Sequence, residues 1–312
     1  MTATKTVFII IYVCLILRRL TAPIVAALLL GSCSGRAGSS SAGGSGPIQV
    51  VAAENFYGDI ASQLGGKHVE VTSILSDPNA DPHLFEPGTA NAAAVGGADL
   101  VIVNGLGYDA FMNRLLRAAP NGDRRVVTVA RALHMAGSEL NPHIWYDVAS
   151  LHEIAKAISH GLASVDPVDE TYFDGALGDF DASLRPLTQG VARIRSRYGG
   201  EPVAYTEPVP GYLLRAAGLK VRTPEGFAVA IEEASEPTPQ AVAAMHALLA
   251  DERVRVLIYN AQATSPITDG LRRLARQHGI PVVPMTETLP SHTTFQQWQI
   301  DQVRSLERAL AG

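Results

Sequence analysis

The sequence predicts an α/β protein built as two β/α lobes with mainly parallel sheets, joined by a long linking helix. Three observations carry this. Short apolar runs alternate with helix-spaced stretches over the first half of the chain, and the same alternation resumes after Pro202. Between the halves, Asp166–Tyr198 is polar, low in β-branched residues, and places Phe173, Leu177, Phe180, Leu184, Leu187, Val191 and Ile194 at helical spacing. Alternation of this kind covers both faces of each sheet with helices, and ligands of such sheets gather beyond the carboxyl ends of the strands.

Taken in order, Val7–Leu17 and Leu20–Leu30 are apolar blocks separated by Arg18 and Arg19. Each is too short to span a bilayer, and the second has the basic flank, short apolar core and small residues of a secretory signal. It ends Leu30-Gly31-Ser32-Cys33, which resembles the bacterial lipobox, so residues 1–32 are expected to be a signal peptide and Cys33 a lipid-bearing mature terminus. The competing reading is one interrupted membrane anchor over Val7–Leu30. The stretch through Gly46 has no apolar residue able to join a core and makes residues 33–46 a flexible tether.

The first lobe is expected over residues 47–165. Ile48–Ala53, Val69–Leu75, Asp99–Asn104 and Arg125–Val129 read as its strands. Phe56–Leu64, Thr89–Val95, Asp109–Ala118 and Val148–Leu162 read as its helices, with Gly65-Gly66 stopping the first. The linking helix occupies 166–198, with Pro186 a kink point and Gly199-Gly200 its end. In the second lobe, 199–312, Pro202–Tyr205, Lys220–Arg222, Val254–Tyr259 and Pro281–Met285 read as strands. Helices are expected at Gly211–Ala217, Pro239–Ala250, Ile267–His278 and Phe295–Leu310.

Composition narrows the function. A chain of 312 residues with 47% hydrophobic content can bury sizeable cores. A net charge of −5, without a basic run interleaved with aromatics, argues against a nucleic-acid partner. The only cysteines, Cys14 and Cys33, precede the folded body, which therefore has neither disulfides nor thiolate ligands.

Two loops carry the chemistry. Asp77–Pro87 reads DPNADPHLFEP, and its three prolines forbid regular structure while presenting His83. Asn141–Asp147, reading NPHIWYD, presents His143 in the same way. Rigid loops that each hold one imidazole suit a metal site assembled from distant segments. For each loop alone the competing reading is a solvated histidine in a proline-rich turn.

The pair of loops, with the intervening DLVIVNGLGYD segment (Asp99–Asp109), resembles the zinc- and manganese-binding solute-binding proteins of bacterial metal ABC importers, a family of metal-receptor lipoproteins. The resemblance runs from Pro47 to the C-terminus and implies a metal site between the lobes. It also implies two further ligands. The family's third ligand follows the first strand of the second lobe, where this chain has Glu207; the fourth, usually aspartate, follows the last strand, where this chain has Glu287. The implied ligand set is His83, His143, Glu207 and Glu287, two per lobe. It suits a borderline divalent ion carried as cargo, with no catalytic cofactor. Two carboxylates and the lack of a His-rich loop favour Mn²⁺, whereas Zn²⁺ stands higher in the affinity order.

The resemblance implies an extracytoplasmic receptor, monomeric and held to the membrane through Cys33, that delivers its ion to an ABC permease and its ATPase. The alternatives are a metal-dependent hydrolase and a surface adhesin on the same fold. A hydrolase needs an open coordination position and a general base beside the bound water, and the sequence offers no obvious extra base. His292 is the substitute for Glu287 as a ligand. Asp81 and Asp147 are candidate acceptors for the imidazole N–H groups; Asn260 and Gln262 end a strand of the second lobe and are candidates to line the cleft, the preferred reading being surface polar residues.

Overall fold

Eight strands form two four-stranded sheets, each wholly parallel, in a computed structural model that describes residues 46–77, 84–137 and 140–312. The expected signal peptide, Cys33 with most of its tether, and His83 lie outside the described residues.

The first sheet has the order β2-β1-β3-β4. Its strands are β1 (Ile48–Glu54), β2 (Val69–Leu75), β3 (Leu100–Val103) and β4 (Arg125–Thr128). The helices between them are α1 (Asn55–Gly65), α2 (Thr89–Gly97) and α3 (Ala110–Ala118), followed by one turn, α4 (Val129–Ala132), and then α5 (Leu151–Val165). Because side chains alternate along a strand, each sheet feeds two cores. Val50, Ala52, Leu100 and Ile102 join the large central core, while Val51, Ala53, Val101 and Val103 pack beneath Val95, Phe111 and Leu115.

The second sheet repeats the plan in the order β6-β5-β7-β8. Here β5 is Pro202–Tyr205, β6 Lys220–Val221, β7 Leu257–Asn260 and β8 Val282–Met285. Around it lie α8 (Gly211–Ala216), α9 (Glu225–Glu232), α10 (Pro239–Ala250) and α11 (Pro266–Gln277). Val203 and Ile258 point to the central core; Ala204 and Leu257 point to an outer cluster with Phe227, Met245 and Leu271.

The linking segment is two helices rather than one. A 3-10 turn at Pro167–Asp169 leads into α6 (Glu170–Ser183), and α7 (Arg185–Tyr198) follows with Leu184 as the turn between them. Pro186 is the cause: it has no N–H to return to Ala182, and its ring crowds that carbonyl. The apolar stripe survives the break. Phe173, Phe180, Leu184, Leu187, Val191 and Ile194 are all buried in the central core.

The last helix, α12 (Phe295–Ala311), packs on α7 and β8 and also reaches across to the first half. Asn55 at the start of α1 exchanges two hydrogen bonds with Leu289, donating to its carbonyl at 2.8 Å and accepting from its N–H at 2.9 Å. Asp59 accepts from the Phe295 N–H at 2.8 Å, capping α12 from α1. Trp298 then stacks toward Phe56 at a centroid distance of 6.1 Å, and Phe56 stacks on Trp145 at 4.3 Å.

Candidate metal centre

The two predicted acids sit where parallel sheets place ligands, just beyond strand ends. Glu207 follows β5 by two residues and Glu287 follows β8 by two. His143 lies on the loop entering the 3-10 turn Ile144–Tyr146. All three are buried, at 0%, 1% and 0% exposure for His143, Glu207 and Glu287. Taking ionisable groups out of water costs several kcal/mol each unless they are paired or bind a cation.

The histidine loop is held from below. Asn104, at the end of β3, donates from Nδ2 to the Pro142 carbonyl at 2.9 Å and accepts from the Tyr57 hydroxyl at 2.7 Å. Its own N–H and that of Gly105 donate to the Asp109 carboxylate at 2.6 and 3.0 Å. Gly105, with φ of 88°, stands within 3.0 Å of Thr128 at its missing Cβ, so both the turn and the close approach need glycine there. Leu106 and Gly107 continue the left-handed turn and bring Tyr108 up to the site.

Glu287 is the hub. Its Oε2 lies 3.2 Å from His143 Nε2 and accepts from the Tyr108 hydroxyl at 2.9 Å. Its Oε1 accepts from Asn260 Nδ2 at 2.5 Å, and the same amide donates to Glu207 Oε2 at 2.8 Å. Asn260 ends β7, so one amide ties the two acids together. Gln262 Oε1 takes the backbone N–H of Glu287 at 2.6 Å and of Thr288 at 3.1 Å, which fixes the turn after β8. On its other nitrogen, His143 Nδ1 lies 2.7 Å from Asn141 Oδ1 and 3.7 Å from the Glu232 carboxylate at the end of α9.

Among the described residues, no three His, Cys, Asp or Glu side chains already surround one point as ligands do. Instead His143 and Glu287 touch, and Glu207 stands one amide away.

Behind this layer lies a carboxyl that the sequence did not single out. Glu54, the last residue of β1, is fully buried, and among the described residues no other residue hydrogen-bonds to either of its oxygens. Burial, followed by the field of Asp109, holds it well above the usual carboxylate range. Burial also raises the hydroxyls of Tyr57 and Tyr108, helped for Tyr108 by the fields of Glu287 and Glu54, so both remain donors.

Several expectations change. Asn260 is 3% exposed and internal rather than at the surface, because its amide is needed between two acids. Asp147 accepts from the Ser150 hydroxyl at 2.6 Å, and the acceptor beside the His143 ring is Asn141. His292 is exposed, with φ of 60°. Asn141 and Tyr108 lie in the NPHIWYD and DLVIVNGLGYD segments, where nothing assigned them a role, and Glu232 and Glu54 had no local sequence signal. Only the position of Asn141, two residues before His143, could have drawn attention to it.

Comparison with known proteins agrees with the architecture. The profile of the family described as zinc-uptake complex component A, periplasmic, matches residues 50–309. The chain is 23% identical over 301 residues to the metal ABC transporter substrate-binding lipoprotein FimA of Streptococcus parasanguinis, covering 89% of this chain and 94% of that one. It is 23% identical over 273 residues to the zinc-binding protein TroA of Treponema pallidum, covering 85% and 87%. Among solved structures, that of periplasmic TroA superposes with a TM-score of 0.72 at 20% identity, over 85% of this chain and 99% of that one. FpvC of Pseudomonas aeruginosa, solved in complex with Mn²⁺, gives 0.72 at 19%, covering 85% and 98%. A match spanning both sheets and the linking helices makes this chain a member of the zinc-uptake complex component A family.

Proposed function

We propose that the protein is an extracytoplasmic receptor that captures a divalent transition metal ion, Mn²⁺ or Zn²⁺, and delivers it to a membrane permease driven by an ATPase. The observation that carries this reading is the buried meeting of His143 with Glu287, and of Glu287 with Glu207 through Asn260, between strand ends of both sheets. Buried acids facing an imidazole gain most from a cation placed among them. His83 supplies the fourth ligand in this proposal. FimA is named a metal ABC transporter substrate-binding lipoprotein and TroA a zinc-binding protein, which supports it.

The ion is cargo, and no bond is made or broken. Residues 47–165 and 199–312 act as the two lobes, 166–198 as the link, and Cys33 as the lipid anchor of a monomer. Two imidazoles and two carboxylates make a neutral shell for M²⁺ that suits Mn²⁺, while affinity order favours Zn²⁺. The test is purification from metal-limited cells followed by elemental analysis, with calorimetry of both ions on wild type and His143→Ala. Stoichiometric Mn or Zn that is lost in the variant is expected. Equal, weak binding by both proteins would overturn the reading.

A further inference from the structure

The three contacts of the Asn141 side chain can be assigned by elimination. The His143 backbone N–H is an obligate donor and lies 2.9 Å from Oδ1; the Pro208 carbonyl is an obligate acceptor and lies 2.7 Å from Nδ2. The amide is therefore oriented by chemistry and cannot be flipped. Its oxygen also faces His143 Nδ1 at 2.7 Å, and because an amide oxygen only accepts, Nδ1 must carry the hydrogen. Nε2 is the nitrogen directed at Glu287 Oε2, 3.2 Å away; two acceptors cannot face one another there, so in the metal-free protein a hydrogen lies between them, and a bound ion displaces it.

The same residue spans the lobes. Pro208 directly follows Glu207 in the second lobe, and Tyr212 of α8 donates its hydroxyl to the Asn141 carbonyl at 2.9 Å. The fit is close: a Cβ on Gly211 would stand 2.8 Å from Asn141 Nδ2, so only glycine lets α8 approach this amide.

We infer that Asn141 is a positioning residue that holds His143 in the Nδ1–H form, presents Nε2 for ligation, and makes this depend on contact with the Glu207 loop. The inference rests on the receptor reading above and deepens it. When the lobes are together, the Asn141 amide is braced by Pro208, and the ring is oriented for the ion. When they part, Nδ2 loses its acceptor and the imidazole loses its brace. The histidine of one lobe is then a good ligand only while the acid-bearing loop of the other is in place.

Two readouts test this, one of them independent of metal. The first is long-range ¹H–¹⁵N correlation of ¹⁵N-histidine-labelled, metal-free protein, with His143 assigned from His143→Gln. The second is Zn²⁺ affinity by chelator competition. Wild type should show Nδ1–H at His143. Asn141→Ala should lose that preference and bind Zn²⁺ about 10- to 100-fold more weakly, the usual effect of removing a partner of a ligating histidine. Asn141→Asp can still accept from Nδ1–H but cannot donate to Pro208, so it should keep the tautomer and lose affinity. Gly211→Ala, which leaves His143 and Asn141 in the sequence, should displace the amide and weaken Zn²⁺ in the same range.

Zn²⁺ affinities of Asn141→Ala and Gly211→Ala within twofold of wild type, with an unchanged tautomer, would overturn the inference. Failure of wild type to bind Zn²⁺ or Mn²⁺ would instead sink the receptor reading, and the tautomer comparison would still decide the role of Asn141.

Discussion

His143 and Glu287 meet across the two halves of the chain, Nε2 to Oε2 at 3.2 Å, although 144 residues separate them. The first is seated by Asn104 beneath its loop and the second by Gln262 behind its turn. The His143 ring packs edge-on against Tyr108 at 5.6 Å and Trp145 at 5.2 Å, but these are two contacts at the rim of a large core, and Glu287 packs through polar contacts, so each can be changed at a modest cost to the fold.

His143→Ala and Glu287→Gln should therefore fold and lose tight metal binding. For wild type, Zn²⁺ or Mn²⁺ at a thousandfold excess over Kd should add about 4 kcal/mol of stability by mass action. Thermal or urea melts with and without the ion provide the check. A variant that gains as much stability as wild type would remove its residue from the ligand set.

Asn260 should matter to the metal-free protein as well. One Nδ2 group serves both acids, and losing a buried donor to a charged acceptor costs about 1.5–3 kcal/mol. Asn260→Ala should lower metal-free stability by that order. Asn260→Asp, which replaces the donor with a third carboxylate, should lower it further at neutral pH. Urea melts of the two variants should show that ranking, and a more stable Asn260→Asp would contradict the arrangement.

Glu54 predicts a pH dependence opposite to that of a salt-bridged acid. Its pKa is raised in the folded protein by burial first and Asp109 second, so the folded state holds a proton that the unfolded chain releases at ordinary carboxyl pH. Stability from this group is full below the ordinary carboxyl range and is lost as pH rises through the raised folded value. Glu54→Gln should be more stable than wild type at neutral pH, and the gap should close toward pH 4. Melts of the pair across that range decide it; a gap that widens on acidification would mean Glu54 is ionised in the fold.

Cys33→Ser should free the protein from the membrane fraction, since the lipidated cysteine and Gly/Ser tether are its expected anchor. Fractionation with an antibody to the folded body would show it. A variant that still pellets with membranes would favour an uncleaved N-terminal span.

The strands were readable because short apolar runs bounded by turn residues have few other uses in a chain of this length. The central stripe of the linking segment was readable for the same kind of reason, and Pro186 marked its break. Helix α9 was not seen: Phe227-Ala-Val-Ala-Ile alternates like a strand, and its burial against Met245 and Leu249 depends on α10. With it went Glu232, the acid beside His143. The supporting amides were hidden for another reason. Asn104, Asn141 and Asn260 sit at strand ends or loop starts, where asparagine is an ordinary turn residue. Only the folded chain shows that their side chains reach a tyrosine, a proline carbonyl and two acids. Glu54 ends an apolar run and looks locally like any strand-terminal acid. Its burial comes from helices that the strand itself does not specify.

The seam between α1 and α12 bears on how this protein can be taken apart or recombined. The halves are not interchangeable cassettes. A chimera joined near residue 199 would pair one parent's Asn55 and Asp59 with another parent's Leu289 and Phe295, and the reciprocal amide contact and the helix cap would survive only if both parents shared them. Moving α12 with its α1 partner would in turn cut its ties to the second sheet, where Trp298 Nε1 donates to Thr286 Oγ1 at 2.9 Å and the Thr286 N–H donates to Gln302 Oε1 at 3.0 Å, so the natural unit of transplantation is the whole folded body.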